Sequence, residues 1–180
     1  MEHFFAAFLV VAIMLEMYEI NFARKLVSKG NVRIQSLTAI VSSGLLYALF
    51  VFMGWLASDL TPQFSALMKD VLAAGAILIL VAYSFIRNKR YRKADNVVYG
   101  NFSLFILLTI GRSILHLITG FVIGLLGVSI EWFYQGFLLG VVLFGAAVML
   151  GKKPAEKIFG IRVGYIKIIS YIIAAVLVFF

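Results

Sequence analysis

Six apolar stretches, at residues 4–23, 34–58, 66–87, 101–127, 131–150 and 158–180, follow one another along this 180-residue chain with only short polar segments between them. An α-helix needs about 20 apolar residues to cross a hydrocarbon core about 30 Å thick. Inside lipid every backbone N–H and C=O must be satisfied within the protein, which leaves helices and closed barrels as the spanning forms. Apolar residues continue here around whole helical turns instead of alternating, so helices are expected. At 63% hydrophobic and 13% charged residues, with a mean hydropathy of +1.06, too little polar surface remains to coat a water-soluble domain. The expected fold is all-α: a polytopic integral membrane protein of six transmembrane helices, with one membrane domain over 1–180. Only Met1-Glu2-His3 precede the first stretch, without the basic n-region and cleavage site of a signal peptide, so that helix is expected to be retained.

The charges fall between the spans in a pattern. Arg24, Lys25, Lys29 and Arg33 follow the first, Arg87, Lys89, Arg90, Arg92 and Lys93 the third, and Lys152, Lys153, Lys157 and Arg162 the fifth, so that thirteen of the sixteen basic residues gather on one side. The other side carries Glu2, Asp59, Asp70 and Glu131 with only Lys69. The positive-inside rule then puts loops one, three and five in the cytoplasm and both termini outside, as in a bacterial inner membrane. The net charge of +8 is read as a topology signal, with membrane lipids and no nucleic acid as partners. Trp55, Tyr83, Tyr91, Tyr99, Trp132 and Tyr134, near the expected boundaries, suit interfacial anchoring.

A basic linker over 88–100 separates a first half, 1–87, from a second, 101–180, each with three spans. An odd number of spans per half gives the halves opposite orientations, the arrangement of a 3+3 inverted repeat whose site lies near the midplane where the halves meet. An offset of 97 residues lays Met53-Gly54 on Leu150-Gly151, Glu16 on Ser113 and Glu19 on His116. Small-residue pairs, Gly120-x3-Gly124, Gly136-x3-Gly140 and Gly160-x3-Gly164, are read chiefly as close helix packing.

Ionisable residues at membrane depth cost several kcal/mol unless they face a protein interior, so they single out the candidate site. Glu16 and Glu19, three residues apart, share a face of span one with Asn21 beyond them; Arg112 and His116, four apart, share a face of span four with Ser113 beside them. At 1.5 Å per residue, Glu16 and Arg112 both fall about 3–4 Å to the cytoplasmic side of the midplane, within reach of one another. They read either as an ion pair that docks the two halves or as part of a binding site, with Glu16 and His116 the candidates for holding a metal. Lys167 in span six reads as a side chain that snorkels to the interface. No cysteine is present, which excludes disulfides, thiolate metal sites and iron–sulfur clusters. Nucleophile elbows, zinc-binding helices and phosphate-cradling glycine loops are also missing, so the chain is not expected to be an enzyme, and no cofactor is strongly implied.

Several of these features together resemble the MntP-type six-helix exporters of the LysE-like superfamily. They are the length, an acidic residue in mid-span one (Leu15-Glu16-Met17-Tyr18-Glu19-Ile20-Asn21), Gly54-Trp55 closing span two, a charged central loop and Gly151-Lys152-Lys153 after span five. The resemblance implies a three-plus-three fold and a manganese-binding role for Glu16. Where that family has a second aspartate, in span four, this chain reads Arg112-Ser113-Ile114-Leu115-His116. A guanidinium there disfavours a hard divalent cation and leaves an anionic or zwitterionic solute equally open.

Two functions remain open on the sequence. One is a transporter or exporter of a small ion or metabolite, acting through Glu16, Glu19, Asn21, Arg112, Ser113 and His116. The other is a non-catalytic subunit of a larger membrane complex, binding lipid, pigment or partner helices, alone or as a homo-oligomer.

Overall fold

The computed structural model describes residues 2–27, 32–61, 64–90, 102–149, 157–158 and 161–179. These form α1 (Glu2–Val27), α2 (Val32–Ser58), α3 (Ala66–Arg90), α4 (Phe102–Leu125), α5 (Ile130–Met149), a hairpin of β1 (Lys157–Ile158) and β2 (Ile161–Arg162), and α6 (Val163–Leu177). Among the described residues, four helices are long and apolar enough to cross a membrane, over Leu37–Ser58, Ala66–Arg87, Phe105–Leu125 and Ile130–Ala147. α1 is 26 residues long and carries both mid-span carboxylates. α6, at 15 residues, rises only about 22 Å.

The sixth stretch corrects the sequence reading. It was expected to be helical from residue 158, but it opens in an antiparallel hairpin with Lys157 opposite Arg162 and Ile158 opposite Ile161, and the helix starts at Val163. β-Branched Ile158 and Ile161, one in each strand, favour extended backbone, a preference that hydrophobicity alone does not register. Gly160 of the expected Gly160-x3-Gly164 pair lies outside the described residues, as does most of the 88–100 linker; α3 itself continues to Arg90.

α4 ends in a Schellman motif. Gly127 adopts φ +66°, its N–H donates to Gly124 O at 3.0 Å, and Val128 N–H donates to Ile123 O at 3.0 Å. The left-handed residue satisfies two terminal carbonyls and turns the chain directly into α5. Ring contacts fix relative directions. His3 lies against Trp132 (centroids 4.6 Å apart) and Tyr18 against Phe144 (5.3 Å), so α1 and α5 run parallel. Tyr47 lies against His116, Val51 against Gly120 and Ser58 against Gly124, so α2 and α4 are parallel too.

The bundle is apolar outside and polar within. Leu45, Leu107, Leu138 and Leu139 are exposed, while Glu16, Ser43, Arg112, Ser113, His116, Thr119 and Lys167 are buried. Such an arrangement suits a lipid surround, where outward leucines need no cover and ionisable groups must turn to protein.

The most extensive helix contact joins α2 to α4, and glycine makes it. A Cβ on Gly54 would strike the Leu117 carbonyl, and one on Gly120 the Val51 carbonyl. Both obstacles are backbone, so neither can move aside. At Gly136 of α5 the nearest atoms are Val10 methyls at 3.6 Å, an ordinary contact. Gly120→Val is therefore expected to abolish the monodisperse peak in detergent size-exclusion chromatography, with a stability loss beyond the usual 1–3 kcal/mol of overpacking. Gly136→Ala is expected to leave the peak unchanged.

Candidate functional site: a buried ionic cluster

α1 runs through the middle of the bundle, packed on α2, α5 and α6. The three-residue step from Glu16 to Glu19 points both carboxylates inward, each toward a different helix. Arg87 Nη1 of α3 donates to Glu16 Oε1 at 2.6 Å. Lys167 Nζ of α6 donates to Glu19 Oε2 at 2.7 Å. The side chains of Glu16 and Lys167 are 4% and 3% exposed, so both pairs are desolvated and each charge depends on its partners. α1 thus ties α3, the last helix of the first half, to α6, the last helix of the second.

Arg112 is buried and lies close enough to Glu16 for its charge to act there, as do Lys167 and His116. The neighbourhood expected of Glu16 and Arg112 is present, and Arg87 adds a hydrogen-bonded ion pair to Glu16 that charge position along the chain did not suggest. The reason lies in side-chain length. Arg87 is in the last turn of α3, beside the basic residues of the expected cytoplasmic loop, and its guanidinium reaches Glu16 of α1. Lys167 likewise departs from expectation. It is 2% exposed and ion-paired with Glu19 inside the bundle instead of snorkelling.

The other expected residues are placed as follows. Ser113 is fully buried, and its hydroxyl donates to Thr109 O at 2.7 Å on its own helix. The side chain of Asn21 lies outside the described residues. His116 is fully buried, with its imidazole tilted at 56° against the ring of Tyr47, centroids 4.1 Å apart. Neither Nδ1 nor Nε2 has a hydrogen-bond partner, and the same holds for Tyr47 Oη and Thr119 Oγ1. Leaving a buried polar group unsatisfied costs about 1–3 kcal/mol, so four such atoms on neighbouring turns of α2 and α4 are unlike ordinary packing. Buried Tyr171, one turn beyond Lys167 on α6, lies within electrostatic reach of Glu16, Arg87 and Glu19.

Sequence reading missed Arg87, Tyr47, Thr119 and Tyr171 as members of this cluster. For Tyr47 and Tyr171 the available signal is a hydroxyl-bearing ring in mid-span, away from the interfacial zone. For a metal, among the described residues no three His, Cys, Asp or Glu side chains converge. Glu16, the acidic candidate, is already held by Arg87. No family model, no curated protein and no solved structure matches this chain.

Proposed function

We propose that this protein is a six-span transporter of a small ion or metabolite, built from two inverted three-helix halves. Its site is the ionic cluster between them. The observation that carries the reading is that five ionisable side chains from α1, α3, α4 and α6 (Glu16, Glu19, Arg87, Arg112 and Lys167) meet inside an apolar-surfaced bundle. Charges at such depth are costly and mark transport paths in membrane proteins.

The helix pairing supports the inverted repeat. α2 packs on α4 as α5 does on α1, and α1 on α6 as α4 does on α3, while α3·α6 and α2·α5 pair across the centre. Exchanging the first half for the second interchanges the members of the first two pairs of contacts and maps α3·α6 and α2·α5 onto themselves; the smaller α1·α2 contact has no counterpart of similar extent between α4 and α5 among the described residues. The MntP-type resemblance fits this architecture, while the span-four Arg112 and His116 point away from manganese as the cargo. Odd-numbered loops in the cytoplasm and termini outside, in a bacterial inner membrane, complete the proposal.

The test is flux into proteoliposomes containing the purified chain, probed with manganese(II), small inorganic and carboxylate anions, and amino acids. Glu16→Gln keeps an oxygen for Arg87 but loses the charge; it and Arg112→Gln are each expected to lower flux to the protein-free rate, Arg112→Gln with an unchanged size-exclusion peak and Glu16→Gln with the peak retained at a lowered Tm. Normal flux through either variant removes the cluster from the transport path.

One observation favours the second reading, a subunit of a larger complex. The apolar windows of α3 and α5 are only 22% and 17% buried, leaving broad faces for partner helices or another copy. Extraction from the native membrane in mild detergent distinguishes the two: a particle of this chain alone supports the transporter, and stoichiometric recovery with other subunits supports the complex.

A further inference from the structure

We infer that Tyr47, His116 and Thr119 form the binding site for a small anion; the inference rests on the transporter reading and names its cargo class. The three side chains are fully buried, and all of their polar side-chain atoms lack a hydrogen-bond partner. They form one patch, since the Tyr47 and His116 rings are in contact and Thr119 follows His116 by three residues on the same face of α4. Each supplies a hydrogen to an acceptor ligand: the two hydroxyls and the one N–H of a neutral imidazole.

The surrounding charges select the sign of that ligand. Both carboxylates of the cluster are occupied, Glu16 by Arg87 and Glu19 by Lys167. Glu16, Lys167 and Arg87 lie within electrostatic reach of His116, and Glu16, Arg112 and Arg87 within reach of Tyr47. Basic groups thus outnumber acidic ones around the patch, with Glu16, itself held by Arg87, the strongest single charge acting on both rings. Among the described residues no group of three metal-ligating side chains offers a cation an alternative. An anion of few atoms, accepting from three donors in a water-poor interior, satisfies those three orphaned donors.

The experiment uses the full-length protein in nanodiscs, titrated with sodium chloride, nitrate, formate or phosphate against sodium gluconate at constant ionic strength. The chain has two histidines, His3 and His116, so 15N-histidine labelling resolves the site from a control at the far end of the bundle beside Trp132. At least one small anion is expected to raise Tm saturably and to shift the His116 resonances while leaving those of His3 in place. Tyr47→Phe with Thr119→Val keeps the shapes, removes two donors, and is expected to weaken binding at least tenfold with the helical spectrum retained. The inference is overturned if no anion saturates above gluconate, if only manganese chloride does so beyond its chloride, or if the double variant binds as tightly as the wild type. An anion that binds but does not enter proteoliposomes leaves this inference standing and defeats the transport reading; cation flux without anion binding does the reverse.

Discussion

Glu16→Leu is expected to be the most damaging side-chain substitution in the ionic cluster, and far worse than Arg87→Leu although the two residues are hydrogen-bonded partners. Removing one member of a buried ion pair typically costs about 3–5 kcal/mol, because the survivor keeps its desolvation penalty and loses its compensation. The survivors differ here. Without Arg87, Glu16 still has Lys167 and Arg112 near enough to balance it. Without Glu16, Arg87, Arg112 and Lys167 face one another across the interior with Glu19, bound to Lys167, as the remaining carboxylate of the cluster. Glu16→Leu is therefore expected to lose the folded peak in fluorescence-detected size-exclusion chromatography, while Arg87→Leu keeps it at a lowered Tm. The charge-reversed double variant Glu16→Arg with Arg87→Glu is expected not to restore folding, since it sets a guanidinium at the centre of the other cations. Recovery of the wild-type Tm by that reversal would show that the pair acts in isolation.

This asymmetry explains how much of the site was legible in advance. Glu16, Glu19, Arg112 and His116 stood out because a charge or imidazole within an apolar run has few explanations. Spacings of three and four put them on common faces, and the helices keep them there. Arg87 and Lys167 were harder for the same physical reason as each other. A long side chain displaces its charge by several ångströms from its Cα, so position along the span does not fix where the charge ends up. Arg87 was counted among loop residues that share its sign, and nothing local distinguishes a cation that turns back into the bundle from one that meets water. Tyr47 and Thr119 carry a weaker signal: both residue types are common in spans, and that their hydroxyls lack hydrogen-bond partners shows only in the packed bundle.

Fold class and helix order came from the apolar runs, whereas the start of α6 did not. Hydrophobicity registers burial in lipid or protein and is indifferent to the difference between a helix and a short hairpin. Ile158 and Ile161 are as apolar as the residues of the helix that follows, and their branched Cβ atoms suit the extended backbone they adopt. The hairpin is also what shortens α6 and sets Lys167 within its second turn, on the level of the late α1 residue Glu19.

That placement gives the second large expected effect. Glu19→Leu strands the Lys167 ammonium at 3% side-chain exposure, and a loss of about 3–5 kcal/mol is expected. Lys167→Met with Glu19→Leu removes both charges and fills the space with apolar atoms of similar length. Desolvation of two ions is then avoided altogether, and the double variant is expected within about 1 kcal/mol of wild type or above it. A double-mutant cycle of reversible unfolding in mixed micelles measures the coupling, expected at about 2–3 kcal/mol or more. Flux separates structure from transport in the same proteins. If the Lys167–Glu19 pair serves only to dock α6 on α1, the apolar double variant transports like the wild type. If Lys167 belongs to the field that draws an anion toward His116, the double variant folds and does not transport. The transporter reading with an anionic cargo requires the second outcome, because Lys167 lies within electrostatic reach of His116 and no hydrophobic replacement supplies its charge.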